Sequence, residues 1–195
     1  MSEEYTDWII PRLVPENEWH NVKSYIMKAS GEEVEKIIFE WWSDISFKPG
    51  EYHPPIEVLN SDAPTIIKVV ISQSIAEYEF SMFGMSGFLW QNLSNWPKFL
   101  NTLKIGYELF GLQNQVQLLD EVTLFCEETE KDYRSILKEA KKIEDDQEWD
   151  LFVESHIKLL PDHLSPVLGL ESGTTQNRYT WLQKNRSIVL EAIQV

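Results

Sequence analysis

The chain has 195 residues and carries 32 Asp and Glu against 17 Lys and Arg, a formal net charge of −15. Hydrophobic residues make up 43% of it, with eight Trp, nine Phe and seven Tyr, so the acidity belongs to a chain able to bury a core and not to a disordered tail. The charge speaks against direct contact with nucleic acid or anionic lipid, no run approaches the roughly 18 apolar residues of a membrane span, and the single Cys126 allows no internal disulfide.

The opening Met1-Ser-Glu-Glu-Tyr is acidic and lacks the basic and apolar regions of a secretion signal, which together with the lone cysteine points to a reducing cytoplasm. Pro15 to Asn17 form a turn, and Trp19 to Met27 read as a short helix ending near Ser30 and Gly31. Ser30 and Glu33 have the spacing of a capping box. Val34, Ile37, Ile38 and Trp41 then recur at helical steps, predicting a helix from Gly31 to about Ser43. Residues 1–46 are thus expected to form an N-terminal helical segment. Pro49, Gly50, Pro54, Pro55 and Pro64 mark 47–64 as a linker or long loop, with the main helical domain spanning 65–195.

Ile67, Ile71, Ile75, Tyr78 and Met82 run at steps of three or four over five turns, which a strand of ordinary length cannot sustain, so this segment is predicted helical. A turn-rich stretch is expected around Gly84 and Gly87. Asn95 then caps a helix with Pro97 in its first turn, an apolar stripe of Phe99, Leu100, Leu103, Tyr107 and Phe110, and a stop at Gly111. Gln113 to about Glu128 forms the next helix, and Thr129 with Asp132 suggests the start of another through Ile143. Further turns near Trp149 to His156, and a last helix from Tyr179 to Ile193 after the loop at Glu171 to Thr175, complete an all-α, compact multi-helix fold.

Catalytic and metal signals are weak. His20, His53, His156 and His163 are scattered, and Pro161 interrupts the helix that would align the last two. Cys126 lies among Glu127, Glu128 and Glu130, which raise a thiol pKa rather than lower it. No phosphate loop, dinucleotide fingerprint, nucleophile elbow or zinc-protease helix occurs. The chain therefore reads as a binding protein and not an enzyme, with no cofactor and no metal expected.

The acids carry the pattern. Asp120, Glu121, Glu127, Glu128, Glu130 and Asp132 fall within thirteen residues with Lys131 as the one cation, and a second cluster follows at Glu144, Asp145, Asp146, Glu148 and Asp150. On a helix, Asp120 aligns with Glu127 and Glu121 with Glu128, opposite Leu118, Val122 and Phe125. Side chains three or four apart sit about 5 to 6 Å from one another, near the spacing of successive phosphates. Such a ridge can imitate a nucleic-acid backbone to a basic, DNA- or RNA-binding partner. The bland alternative is a solvated helix face, but solubility needs only about 2 to 8 charges. A different reading is an immunity- or antitoxin-like protein that recognises its partner through Trp41, Trp42, Trp90 and Trp96 as well as charge.

The run Met85-Ser-Gly-Phe-Leu-Trp-Gln-Asn-Leu-Ser-Asn, followed by a helix carrying Tyr107-Glu-Leu-Phe-Gly-Leu and another beyond it, resembles a bacterial family whose founding member is a DNA-mimic protein. Gly87 and Phe88 match that family's Asn-Gly-Gly-Phe-x-Gln turn, and Leu109 to Leu112 its closing motif. Met85 and Ser86 stand where Asn and Gly are usual, and Trp90 where Gln is usual. Over about residues 67–143 the resemblance implies an all-helical domain, DNA mimicry that inhibits a DNA-binding protein, and a homodimer among its assemblies. Most relatives have no assigned activity.

Overall fold

The computed structural model describes residues 12–46, 55–91, 95–140 and 174–193, with 142, 143, 145, 147, 148, 151, 152, 155 and 164 between them. Among the described residues there are helices and no strand. They are α1 (Val22–Lys28), α2 (Gly31–Ser46), α3 (Thr65–Gln91), α4 (Trp96–Leu109), α5 (Gln113–Ala140), α6 (Thr174–Lys184) and α7 (Arg186–Ile193), with 3₁₀ turns at Glu16–Asn21 and Pro55–Asn60. No helix among the described residues is long and apolar enough to cross a membrane.

α3 is the axis of the fold. Its opening turns, Ile66 to Ile71, are apolar nearly all round, as suits a helix surrounded by others, and Ile66, Ile67, Val69, Val70 and Ile71 are all buried. It packs against α2, α4, α7 and the Pro55–Asn60 turn. The predicted stripe is displaced accordingly: Ile67 and Ile71 are in the core, but Tyr78 is 63% exposed.

The capping box forms as its spacing predicts, the Ser30 amide donating to Glu33 at 2.7 Å and the Glu33 amide to the Ser30 hydroxyl at 3.2 Å. Trp19 lies in the first 3₁₀ turn, ahead of α1, and α2 runs on to Ser46. In the linker or long loop expected at 47–64, the described part is ordered and packed. Residues 47–54 lie outside the described residues, but Pro55–Asn60 is a 3₁₀ turn that buries Val58 and Leu59 against α3. Prolines exclude a long helix there without excluding packing.

Three more boundaries differ from expectation. α3 continues through Gly84 and Gly87 to Gln91, so Gly87 and Phe88, matched to a turn, are helical. A mid-helix glycine costs about 1 kcal/mol, too little to end a helix of 27 residues. α5 does not restart at Thr129, because that hydroxyl donates back to the Phe125 carbonyl at 2.7 Å and so does not cap a new helix. The last helix begins earlier, at Thr174, and breaks at Asn185, whose side chain donates to the Trp181 carbonyl while its own carbonyl accepts from Ile188 at 3.0 Å. Phe99, Leu100, Leu103, Tyr107 and Phe110 are all buried, and α4 stops as predicted: Gly111 has φ +77°, and the Leu112 amide reaches back to the Tyr107 carbonyl at 2.8 Å.

Candidate docking face and the buried charge cluster

α5 lies antiparallel to α4 across the short turn at Phe110 to Leu112. Its buried stripe is Val116, Leu119, Val122, Cys126 and Thr129, at helical steps. Val122 is buried as expected, but Leu118 and Phe125, expected on the same side, are only half-buried because the packed side is rotated toward Leu119 and Cys126. Burial, and then the Glu127 charge, push the Cys126 thiol up to about 12.

Asp120, Glu121, Glu127, Glu128 and Asp132 are exposed on the opposite side. At about 100° per residue they occupy an arc of about 140°, which also holds Lys131 and the 59% exposed Leu124. Asp120 is tied across to α4 by Lys104, Nζ to Oδ1 at 2.6 Å. Glu130 does not belong to this face: it falls beside the buried Cys126 and Thr129, is half-buried, and pairs with Arg134 at 2.6 Å. Of the second cluster, Asp145 and Glu148 are exposed, but Asp145 accepts the Glu148 amide at 2.9 Å, a local turn bond. Glu144 and Asp146 lie outside the described residues. The aromatic alternative loses two of its four residues to the core, since Trp42 is 7% exposed and Trp96 4%. Trp41 is half-buried, and the Trp90 side chain lies outside the described residues.

The sequence reading missed a second cluster. Arg178 on α6 is buried between Glu35 on α2 and Glu77 on α3. Its Nε donates to Glu35 at 2.5 Å, its Nη1 to Glu77 at 2.7 Å, and its Nη2 to both, at 3.2 and 2.9 Å. The hydroxyls of Thr174 and Thr175 complete Glu77, at 2.6 and 2.8 Å. Two carboxylates thus face one guanidinium, leaving an excess negative charge in the interior. Burial raises Glu35 above the ordinary carboxylate value, and Arg178 offsets this only in part. For Arg178, burial opposes the charge, but its bonds to Glu77 and the charge of Glu35 outweigh it and raise its pKa. Nearby, Tyr107 is raised by burial and then by the Glu77 charge, and Tyr179 by burial and then by Glu35.

A signal for this cluster was available. Glu35 lies between Gly31 and Ile38 on the α2 stripe, Glu77 follows Val70 and Gln73 on α3, and Arg178 stands midway between Thr174 and Leu182. Charged residues of opposite sign at core positions on three helices must meet a partner or go unpaired. The cluster's hydrogen bonds are spent within the protein and its residues are shut from solvent, so it holds helices together, whereas the outer side of α5 is exposed to solvent. Comparison of the chain with models of known protein families, with characterised proteins and with solved structures returns no match, so the reading of the docking face rests on its own geometry.

Proposed function

We propose that the protein is an acidic binding protein that occupies a basic, nucleic-acid-binding partner by presenting α5 in place of a nucleic-acid strand. The observation that carries this reading is the density of charge on the outer face of α5. Five exposed carboxylates, Asp120, Glu121, Glu127, Glu128 and Asp132, fall within twelve residue steps, a length of about 18 Å on an α-helix. One strand of duplex DNA presents a phosphate about every 3.4 Å, hence about five over the same length. Within each half of the ridge, Asp120 with Glu121 and Glu128 with Glu127 and Asp132, adjacent carboxylates are closer than the Debye length of about 8 Å at physiological salt, so their fields reinforce one another toward a partner.

The test compares the wild-type chain with a variant carrying Glu121→Gln, Glu127→Gln, Glu128→Gln and Asp132→Asn. Immobilised protein is offered host extract at about 50 mM and about 200 mM salt, over which a phosphate-reading protein loses much of its affinity. Proteins retained by the wild type at low salt are then assayed for duplex DNA binding with the free chain as competitor. The expected result is salt-sensitive retention that the variant loses, and competition between the chain and DNA for one site. Equal retention by the variant, or simultaneous binding of DNA and chain, would overturn the proposal.

A further inference from the structure

Between α4 and α5 lies a cavity of about 220 Å³. We propose that it is the seat for one arginine side chain of a basic partner protein, with the guanidinium on Glu127; this rests on the docking reading above and specifies its anchor. The volume falls below the roughly 300 to 1,000 Å³ of small-molecule sites, so the cavity suits a side chain rather than a cofactor.

The register of the hairpin carries the argument. Because the helices are antiparallel, residues whose numbers share a sum face one another. Lys104 faces Asp120 and bonds it at 2.6 Å. Asn101 and Thr123 come next, and two turns from the ion pair Pro97 faces Glu127; all of these line the cavity. At one end, then, α4 supplies a cation to the carboxylate of α5. At the other end the equivalent residue is proline, and no cation among the described residues pairs with Glu127. The α4 residues lining that end, Trp96, Pro97 and Leu100, are apolar.

An arriving side chain must therefore bring a positive charge and a long apolar stem. Arginine has both, and its planar fork matches a carboxylate in a way the lysine ammonium does not. The stem lies along Pro97 and Leu100, the guanidinium reaches Glu127, and the Asn101 amide and Thr123 hydroxyl are at hand for its remaining donors. The Lys104–Asp120 pair closes the far end of the seat.

The test uses the full chain and acetylated nine-residue peptides of arginine or lysine at low salt, followed by ¹H–¹⁵N NMR. The arginine peptide is expected to shift the Trp96 indole and the Asn101 side-chain amide more than the lysine peptide does. Glu127→Gln should weaken arginine-peptide binding about tenfold, as expected for a charged hydrogen bond, and Glu128→Gln, outside the cavity, at most about twofold. Pro97→Lys, which returns an in-chain cation to that register, should weaken it as Glu127→Gln does. Equal effects of Glu127→Gln and Glu128→Gln, or no shift at Trp96 and Asn101, would overturn the seat while leaving a diffuse acidic face standing. Failure of both peptides to bind would remove the docking reading itself. A fall in thermal midpoint for Glu127→Gln with peptide affinity unchanged would assign the carboxylate to the start of α4 and likewise overturn the seat.

Discussion

Glu77 accepts the Arg178 guanidinium on both carboxylate oxygens, Nη1 at 2.7 Å and Nη2 at 2.9 Å, although the two residues stand 101 positions apart. With the threonine hydroxyls it takes as well, Glu77 is the member of the buried cluster with its hydrogen bonding most fully met. Glu35 is the carboxylate whose charged form burial penalises more than Arg178 restores.

Removing the cation should therefore be far worse than removing the surplus anion. Arg178→Met leaves two carboxylates buried without a counter-charge, and we expect a loss of about 3 to 5 kcal/mol, read by urea unfolding monitored by circular dichroism. Glu35→Gln is expected to stay within about 1 kcal/mol of wild type at neutral pH, because it discharges the excess while keeping an oxygen for Arg178.

The same asymmetry sets a pH dependence. Glu35 is raised above 4.5 in the folded protein, so the folded state holds that proton more tightly than the unfolded chain. Its contribution to stability is then most favourable below about 4.5 and declines as pH rises through the folded value. Unfolding free energies measured from pH 4.5 upward should fall less with pH in Glu35→Gln than in wild type. Parallel curves for the two proteins would refute this assignment.

Gly31 sits where α2 meets α6. A methyl group there would lie 2.0 Å from the Tyr179 carbonyl oxygen, which is backbone and cannot swing aside. Gly31→Ala should cost about 1 to 3 kcal/mol, the range for overpacking, and it should disturb the neighbouring Arg178 contacts. Gly111→Ala meets no such obstacle, since nothing lies within 4 Å. Its cost, about 1 to 2 kcal/mol, comes from the positive φ alone. Thermal midpoints of the two variants, together with the Tyr179 and Arg178 resonances, separate the causes.

Cys126 is buried, and its thiol is pushed up to about 12. Modification by a disulfide reagent at pH 8 should be slow in the native protein and rapid in denaturant, because the thiolate is the reactive form. Rapid native labelling would place α5 in a more open arrangement.

Local chemistry was largely legible in the sequence. The Ser30–Glu33 cap, the Phe99 to Phe110 stripe and the stop at Gly111 depend on neighbours within a turn or two, and each forms as the spacing indicates. Tertiary context decided the rest. Thr129 and Asn185 both offer a side chain that competes for backbone groups; one bonds backward inside a continuing helix and the other sits at a break. The acidic side of α5 was foreseen, but Glu130 was not separable from Glu128 until the packed side was fixed by Leu119 and Cys126. The Glu35–Arg178–Glu77 cluster is spread over three helices, so the run of charge along the chain does not mark it and only the core positions of its members do.

The placement of Arg178 after both of its carboxylate partners in the chain also orders events during synthesis. Glu35 and Glu77 emerge from the ribosome long before the guanidinium that neutralises them, and closing the Glu35–Arg178 pair spans 143 residues. Until then, docking α2 on α3 would desolvate two acids with no cation. Stable docking of α2 on α3 is thus expected to wait for α6, and a nascent chain stalled before Thr174 should be protease-sensitive although five of the seven helices among the described residues precede it.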